Sequence, residues 1–387
     1  MKDSFADTVY NGRSPEVVAG QGEGSVRIGR TRFRGTELHG FVTRALAATG
    51  VRDEDALLVA TVLGASDARG IESHGVARLE TFYVDRIRDG IVDPQARERT
   101  LRETATTLAV DASNALGHPV GVRTMRRTIE KARDAGCAVA TVAHSNHFGI
   151  AGYYAMLALE HDMIGIASTN AGRLAAPTGG RTLMLGTNPF AYAIPAEGGD
   201  SFVLDMATTT VALGKLEIAK RLGKPLRPGW AIDANGVMTL DPTDGMKGAL
   251  LPLGGYGTED GGHKGYGLGL LSDIFCAVLG GGVFAPDMPP STHMLDPGIT
   301  SHFFAAIRID AFRDVAPFKR DLSRLLDDIR SSAPAPGHDR VFTAGEPEAL
   351  REIDHREHGI GLDPIVVASL ERVAEKTGVA PPKSIRS

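Results

Sequence analysis

Residues 261–270 read Gly-Gly-His-Lys-Gly-Tyr-Gly-Leu-Gly-Leu. A glycine-rich enzyme would carry the dinucleotide fingerprint G-x-G-x-x-G in such a stretch, and this one lacks it. Gly265, Gly267 and Gly269 come nearest, but position 270 is Leu. Neither Gly214-Lys215 nor Gly223-Lys224 is followed by Ser or Thr, which removes the P-loop. No H-E-x-x-H helix, G-x-S-x-G elbow or C-x-x-C pair occurs either. What remains at 261–267 is flexible backbone around Lys264. It suits a phosphate at a helix start, or equally a plain surface loop. A nucleotide enzyme built on this chain needs a fold other than the Rossmann one.

Outward from that stretch, the apolar pattern changes period twice. Towards the N-terminus it is helical. Thr36 is expected to cap a helix through Leu38, Phe41, Val42 and Ala45, stopped by Gly50, and Asp53 to cap a second through Leu57, Ala60 and Leu63. A third is expected over His74–Arg88 and a fourth over Gly121–Ala135. Then Ala138–Ala143, Met163–Ser168, Phe190–Ile194 and Phe202–Leu204 read as strands bounded by turn residues. Helical spacing returns at Tyr266–Leu279, Phe318–Ser331 and Pro364–Lys376. The expected fold class is α/β, with a sheet domain inserted into a helical domain built from both ends. The expected division is a mobile extension over 1–27, a helical part over 28–104, a cofactor-binding α/β domain over 105–261 and a second helical part over 262–387.

Composition narrows the function classes. The 387 residues carry 42 basic and 47 acidic side chains, net −5, which offers no basic surface for nucleic acid. Forty-seven glycines exceed the ~7% average and point to tight turns and close backbone approaches. No apolar run approaches the ~20 residues of a membrane helix. The only cysteines, Cys137 and Cys276, lie far apart, and no apolar run follows Lys2, so a cytoplasmic location is expected.

Four polar constellations could carry chemistry. In Arg69-Gly70-Ile71-Glu72-Ser73-His74-Gly75-Val76-Ala77-Arg78, a helix beginning near Ser73 would put His74 and Arg78 on one face. An arginine fork can hold a carboxylate while the imidazole exchanges a proton with a neighbouring oxygen. A solvated helix start capped by Ser73 is the plainer reading. His144-Ser145-Asn146-His147-Phe148-Gly149 follows an expected strand, where ligands commonly dock, although a satisfied structural histidine fits as well. A metal shared by His144 and His147 lacks a third ligand, so no metal is expected. Ser168-Thr169-Asn170 and Gly186-Thr187-Asn188-Pro189 end strands with small polar groups suited to ribose, phosphate or carboxamide, or simply to turns. Asp205 sits at a strand end and needs a partner.

Together with Asp205-Met206-Ala207-Thr208, Pro228-Gly229-Trp230-Ala231 and Gly262-His263-Lys264-Gly265-Tyr266-Gly267, these segments resemble the malate/L-lactate dehydrogenase family, over about residues 28–375. That family of non-Rossmann oxidoreductases includes ureidoglycolate, sulfolactate and diketogulonate enzymes and reductases of cyclic imino acids. The resemblance implies NAD or NADP as cofactor, a small carboxylate substrate and a homodimer with its active site between the two domains. It implies His74 as proton donor, supported by Ser73 and Asp205 as a relay, with His147 as a rival, and Arg78 as the carboxylate anchor. It implies cofactor contacts from His147, Phe148, Gly149, Ile150, Ala151, Ser168, Asn170, Thr187, Asn188, Pro189, Lys264, Gly265, Gly345, Glu346 and Pro347. Two departures stand out: Ala-Thr-Thr-Thr follows Met206 where Ala-Thr-Ser is usual, and Gly257-Thr258-Glu259-Asp260 precedes the glycine loop. The expected reaction is hydride transfer between nicotinamide and a 2-hydroxy or 2-oxo acid. Reduction of a cyclic imine, a non-catalytic nucleotide-binding scaffold and a metal hydrolase at His144 and His147 are the rivals.

Overall fold

The computed structural model of the chain describes residues 29–291 and 296–385. The extension expected over 1–27 lies outside the described residues. The N-terminal helices form where the apolar spacing puts them. After a short strand β1 (Thr31–Phe33) come α1 (Gly35–Ala48) and α2 (Asp53–Ala68). Their caps are Arg34 and Arg52, without side-chain bonds, so neither Thr36 nor Asp53 acts as the expected cap. Acidic Glu37, Asp53, Glu54 and Asp55 occupy the first turns instead, where the helix dipole favours negative charge.

After α2 the backbone is irregular up to α3 (Asp85–Arg88), and the chain then enters the sheet. Its strands are β2 (Arg99–Glu103), β3 (Thr107–Asp111), β4 (Cys137–Ser145), β5 (Met163–Thr169), β6 (Phe190–Ile194), β7 (Phe202–Met206) and, much later, β10 (Thr300–Arg308). The spatial order is β2-β3-β4-β10-β5-β6-β7. Only β3 and β4 run parallel, joined by the crossover helix α4 (Gly117–Ala135); the other pairs are antiparallel. Thus β10 belongs to a stretch expected to be helical, and it lies at the centre of the sheet. It has no polar alternation because both its faces are covered. Phe304 and Ala306 pack with α4 and α5 (Ala151–Met156), whereas Phe303 and Ala305 pack on Phe275 and Cys276 from the far side.

Between β7 and β10 lie α6 (Leu213–Arg221), α7 (Pro242–Lys247), the small ladder β8 (Ala231–Ile232) with β9 (Ala249–Leu250), and α8 (Gly262–Asp273). The C-terminal part holds α9 (Val315–Arg330), α10 (Glu346–His358), β11 (Ile360–Leu362) and α11 (Pro364–Thr377). Strand β11 pairs antiparallel with β1, Thr31 opposite Leu362. Phe41, Leu46, Leu63, Leu79 and Tyr83 share one apolar core with Leu370 and Val373 of α11. The two ends of the chain therefore build one helical unit beside the sheet, the arrangement expected from the order of elements.

Candidate active site

The segment after α2 is not the continuous helix expected over His74–Arg88. Glu72–His74 and Val76–Arg78 are separate 3-10 turns, and Leu79–Val84 is a π turn that runs into α3. Gly75 interrupts them with φ −93° and ψ −150°. The cause is Asp67, buried under the break, whose Oδ2 accepts the Val76 N–H at 2.8 Å. A Cβ on residue 75 would lie 1.8 Å from Asp67 Oδ1, so glycine alone fits. Burial lifts the Asp67 carboxyl to about 8, so it holds a proton in the folded protein at neutral pH.

That proton makes stability depend on pH. The unfolded chain releases it near 3.8 and the folded chain near 8, so the contribution is full below the first value and lost as pH rises through the second. Asp67→Asn keeps an acceptor for Val76 and has no proton to lose. Urea unfolding at two pH values inside that window should show a shallower decline for the variant than for wild type. Equal slopes would mean that Asp67 is ionised in the native protein.

The broken backbone brings the candidate groups together differently from a helix face. Ser73 Oγ lies 2.8 Å from His74 Nδ1. Arg78 Nε donates to the Ser73 carbonyl at 2.6 Å, and its guanidinium lies 5.1 Å from the Phe82 ring centroid. His147 arrives from the β4–α5 turn. That turn is pinned by Asn146, whose amide donates to the Asn114 and Ala115 carbonyls at 3.1 and 2.9 Å. It also needs Gly149, at φ +79°, where a Cβ would crowd Val62 and His118. The His147 ring stacks on His74 with centroids 5.6 Å apart and 20° between planes.

Burial, helped by the Arg78 charge, pushes the His74 imidazole down to about 4. Burial and the charges of His74, His118, Arg78 and Arg86 hold His147 well below its usual value. Both rings are therefore neutral at neutral pH. His144 turns to Asp111 Oδ1, 3.2 Å away, whereas His147 turns to Tyr83, so the two bond to different partners.

Asp205 does not complete the expected relay. Its Oδ2 accepts the Gly152 N–H at 2.7 Å, and no hydrogen bond joins it to Ser73 or His74. Burial raises its carboxyl to about 6, opposed by that bond and by the nearby Arg69 charge.

Several expected cofactor contacts are occupied by the fold itself. Ser168 is fully buried, and its hydroxyl donates to the Pro189 carbonyl at 2.7 Å. Asn170 bonds Asp273, Val283 and Ser301. Asn188 bonds Ala171 and Gly269. Phe148 stacks on His302 at 4.3 Å, and Ile150 and Ala151 are buried with it. The Glu346 carboxylate is taken by Arg330 at 2.9 Å and by Arg340, while Gly345 and Pro347 shape the start of α10. The Thr187 carbonyl accepts the Thr208 N–H at 2.8 Å.

The glycine loop is closely packed against its neighbouring backbone. A Cβ on Gly262 would lie 2.2 Å from the Gly255 carbonyl oxygen, and one on Gly265 2.2 Å from that of Leu253. These glycines let two backbone segments touch, and Lys264 is left exposed in the first turn of α8. It makes no ion pair among the described residues. Tyr83, Phe82 and His118 border the histidine pair, and none was expected there. Tyr83 reads as one more apolar position in a helical stripe, and His118 carries no motif.

The family model described as malate/L-lactate dehydrogenase matches residues 33–371. Malate dehydrogenase of Pyrococcus abyssi is 41% identical over 92% of this chain and 98% of its own. L-sulfolactate dehydrogenase of Methanocaldococcus jannaschii is 34% identical over 85% of this chain and 92% of its own. The solved malate dehydrogenase of Pyrococcus horikoshii OT3 superposes with a TM-score of 0.84 at 39% identity, covering 93% of this chain and 99% of that one. The fold is thus shared over nearly the whole length of both chains, and the chain belongs to the malate/L-lactate dehydrogenase family of oxidoreductases.

Proposed function

We propose that this protein is a nicotinamide-dependent dehydrogenase of a small 2-hydroxy acid of the malate or lactate kind. The observation that carries the reading is the meeting of a guanidinium and a neutral imidazole on one short segment. Arg78 Nε is spent on the Ser73 carbonyl, which leaves both terminal nitrogens to hold a carboxylate side by side. His74, with Nδ1 against Ser73 Oγ, keeps Nε2 for the oxygen on the neighbouring carbon. In the free enzyme His74 is a base, ready to take the hydroxyl proton of a hydroxy acid. A bound carboxylate cancels the Arg78 charge that helps to hold the imidazole neutral. Burial remains the larger cause, so the bound carboxylate eases protonation of the ring for the reverse direction.

A nicotinamide held here would supply the hydride chemistry at the substrate carbon. Lys264 and the first turn of α8 are the groups that fit its phosphates, because the ammonium is exposed, beside close-packed backbone, and unpaired among the described residues. Lys264→Ala should weaken NADH or NADPH binding by about 1.5–3 kcal/mol, the usual worth of a charge-assisted hydrogen bond. Titration of cofactor fluorescence measures this, and unchanged dissociation constants for both cofactors would remove Lys264 from the site.

Exposed Leu268, Leu271, Ile274 and Val278 form an apolar stripe along α8 and the turn that follows it. A homodimer would cover it, since monomers rarely expose such a stripe. The reading as a whole is tested by following reduced-nicotinamide absorbance with 2-oxoacids, and with cyclic imines as the contrast, using each cofactor. Turnover confined to cyclic imines would replace it.

A further inference from the structure

One buried hydroxyl joins two histidines. Tyr83 Oη lies 2.5 Å from His147 Nδ1 and 3.3 Å from His118 Nε2. Tyr83 and His118 are both buried, in the π turn and the first turn of α4. Burial keeps the phenol protonated, so the hydroxyl can donate once and accept from the other ring.

Two proton arrangements satisfy that count. In one, Tyr83 donates to His147 Nδ1 and accepts from a proton on His118 Nε2, leaving a bare lone pair on His118 Nδ1. In the other, His118 carries its proton on Nδ1 and Tyr83 accepts from His147. His118 Nδ1 is buried and has no hydrogen-bond partner. A buried N–H with no acceptor is a rarer and costlier defect than an unused lone pair. The separations agree, because O–H donors sit closer to their acceptors than N–H donors do. The first arrangement wins.

The geometry points to Tyr83 and His118 as positioning residues that hold His147 in its Nε2–H tautomer, so that it gives the substrate oxygen a hydrogen bond and does not act as a base. This rests on the 2-hydroxy acid reading of the site. It separates the two stacked imidazoles by role: His74 exchanges the proton, and His147 steadies the oxygen that gains or loses it. His147 Nε2 has no protein partner among the described residues, so its proton is available.

The test is nitrogen NMR of the wild-type enzyme with 15N-labelled histidine, the His147 signals being those missing from His147→Ala. Nδ1 should resonate as an unprotonated acceptor and Nε2 as a protonated nitrogen. In Tyr83→Phe the two tautomers should mix. kcat for a 2-oxoacid should then fall about 10- to 100-fold, the loss usual when the partner orienting a histidine is removed. KM for the reduced cofactor should not move. His118→Gln retains an N–H donor for Tyr83 and should recover most of the kcat that His118→Leu loses. A wild-type His147 protonated on Nδ1, or wild-type kcat in Tyr83→Phe, overturns the inference. Absence of hydride transfer to every 2-oxoacid would instead overturn the functional reading, while the wild-type spectrum would still decide the tautomer.

Discussion

His74→Ala should lower kcat for 2-oxoacid reduction by roughly 10²–10⁴-fold, the range for loss of a general acid–base group, with cofactor affinity unchanged. The expectation follows from the site's economy. Ser73 Oγ occupies Nδ1 at 2.8 Å, which leaves Nε2 as the free nitrogen of the ring. Its stacked neighbour His147, with Nδ1 against Tyr83 at 2.5 Å, is the ring proposed to carry its proton on Nε2 and so to donate there and not to accept. The direction of the pH profile is fixed as well. With His74 as the proposed base in hydroxy-acid oxidation, the group to lose its activity in acid is an imidazole that burial holds down to about 4. kcat/KM for oxidation should therefore hold through neutral pH and fall as pH drops through that value. Single-turnover mixing of enzyme with reduced cofactor and oxoacid separates the proton-coupled step from binding. If His147→Ala shows the larger loss in that experiment and His74→Ala does not, the two roles are exchanged.

Arg78→Met should cost a 2-oxoacid roughly 10- to 150-fold in kcat/KM, the equivalent of about 1.5–3 kcal/mol for a lost charge-assisted pair. The guanidinium is held from two sides, by its Nε bond to the Ser73 carbonyl and by the Phe82 ring 5.1 Å away. A carboxylate gripped by its two free nitrogens fixes two substrate atoms and so aims the next carbon. Arg78→Lys keeps the charge but loses both the planar fork and the Nε bond, so it should still be impaired. The measurement compares a 2-oxoacid with its uncharged amide in wild type and both variants. The wild-type preference for the acid should shrink strongly in Arg78→Met. A preference that survives unchanged would make Arg78 a solvated surface charge.

Much of the molecule was legible before the structure. Alternating or short apolar runs placed β5, β6 and β7 because strand periodicity and turn residues are local signals. The spacing in α1, α2, α9 and α11 worked for the same reason. Strand β10 escaped because Phe303-Phe304-Ala305-Ala306-Ile307 is apolar without alternation, and only its burial between β4 and β5 tells it from a helix. Motif reading brought Ser73, His74, Arg78 and His147 into one site. At Ser168, Asn170, Asn188 and Glu346 it named cofactor contacts, and a polar residue at a strand or helix end reads the same whether it holds a ligand or ties the fold together. In the structure those four side chains bond within the protein.

By itself, then, the sequence determined the family and the segregation of helices to both chain ends, and it supplied the residues proposed as anchor and proton exchanger. These depend on residue type and order, which a linear text preserves. Tertiary structure alone decided the broken backbone at Gly75, because the obstruction is the Asp67 carboxyl arriving from α2. It also decided the partners of His147, because Tyr83 and His118 lie 64 and 29 residues away along the chain and meet it only when the π turn, α4 and the β4–α5 turn close on one another. Proton placement on an imidazole is set by such neighbours, and no spacing along the chain encodes it.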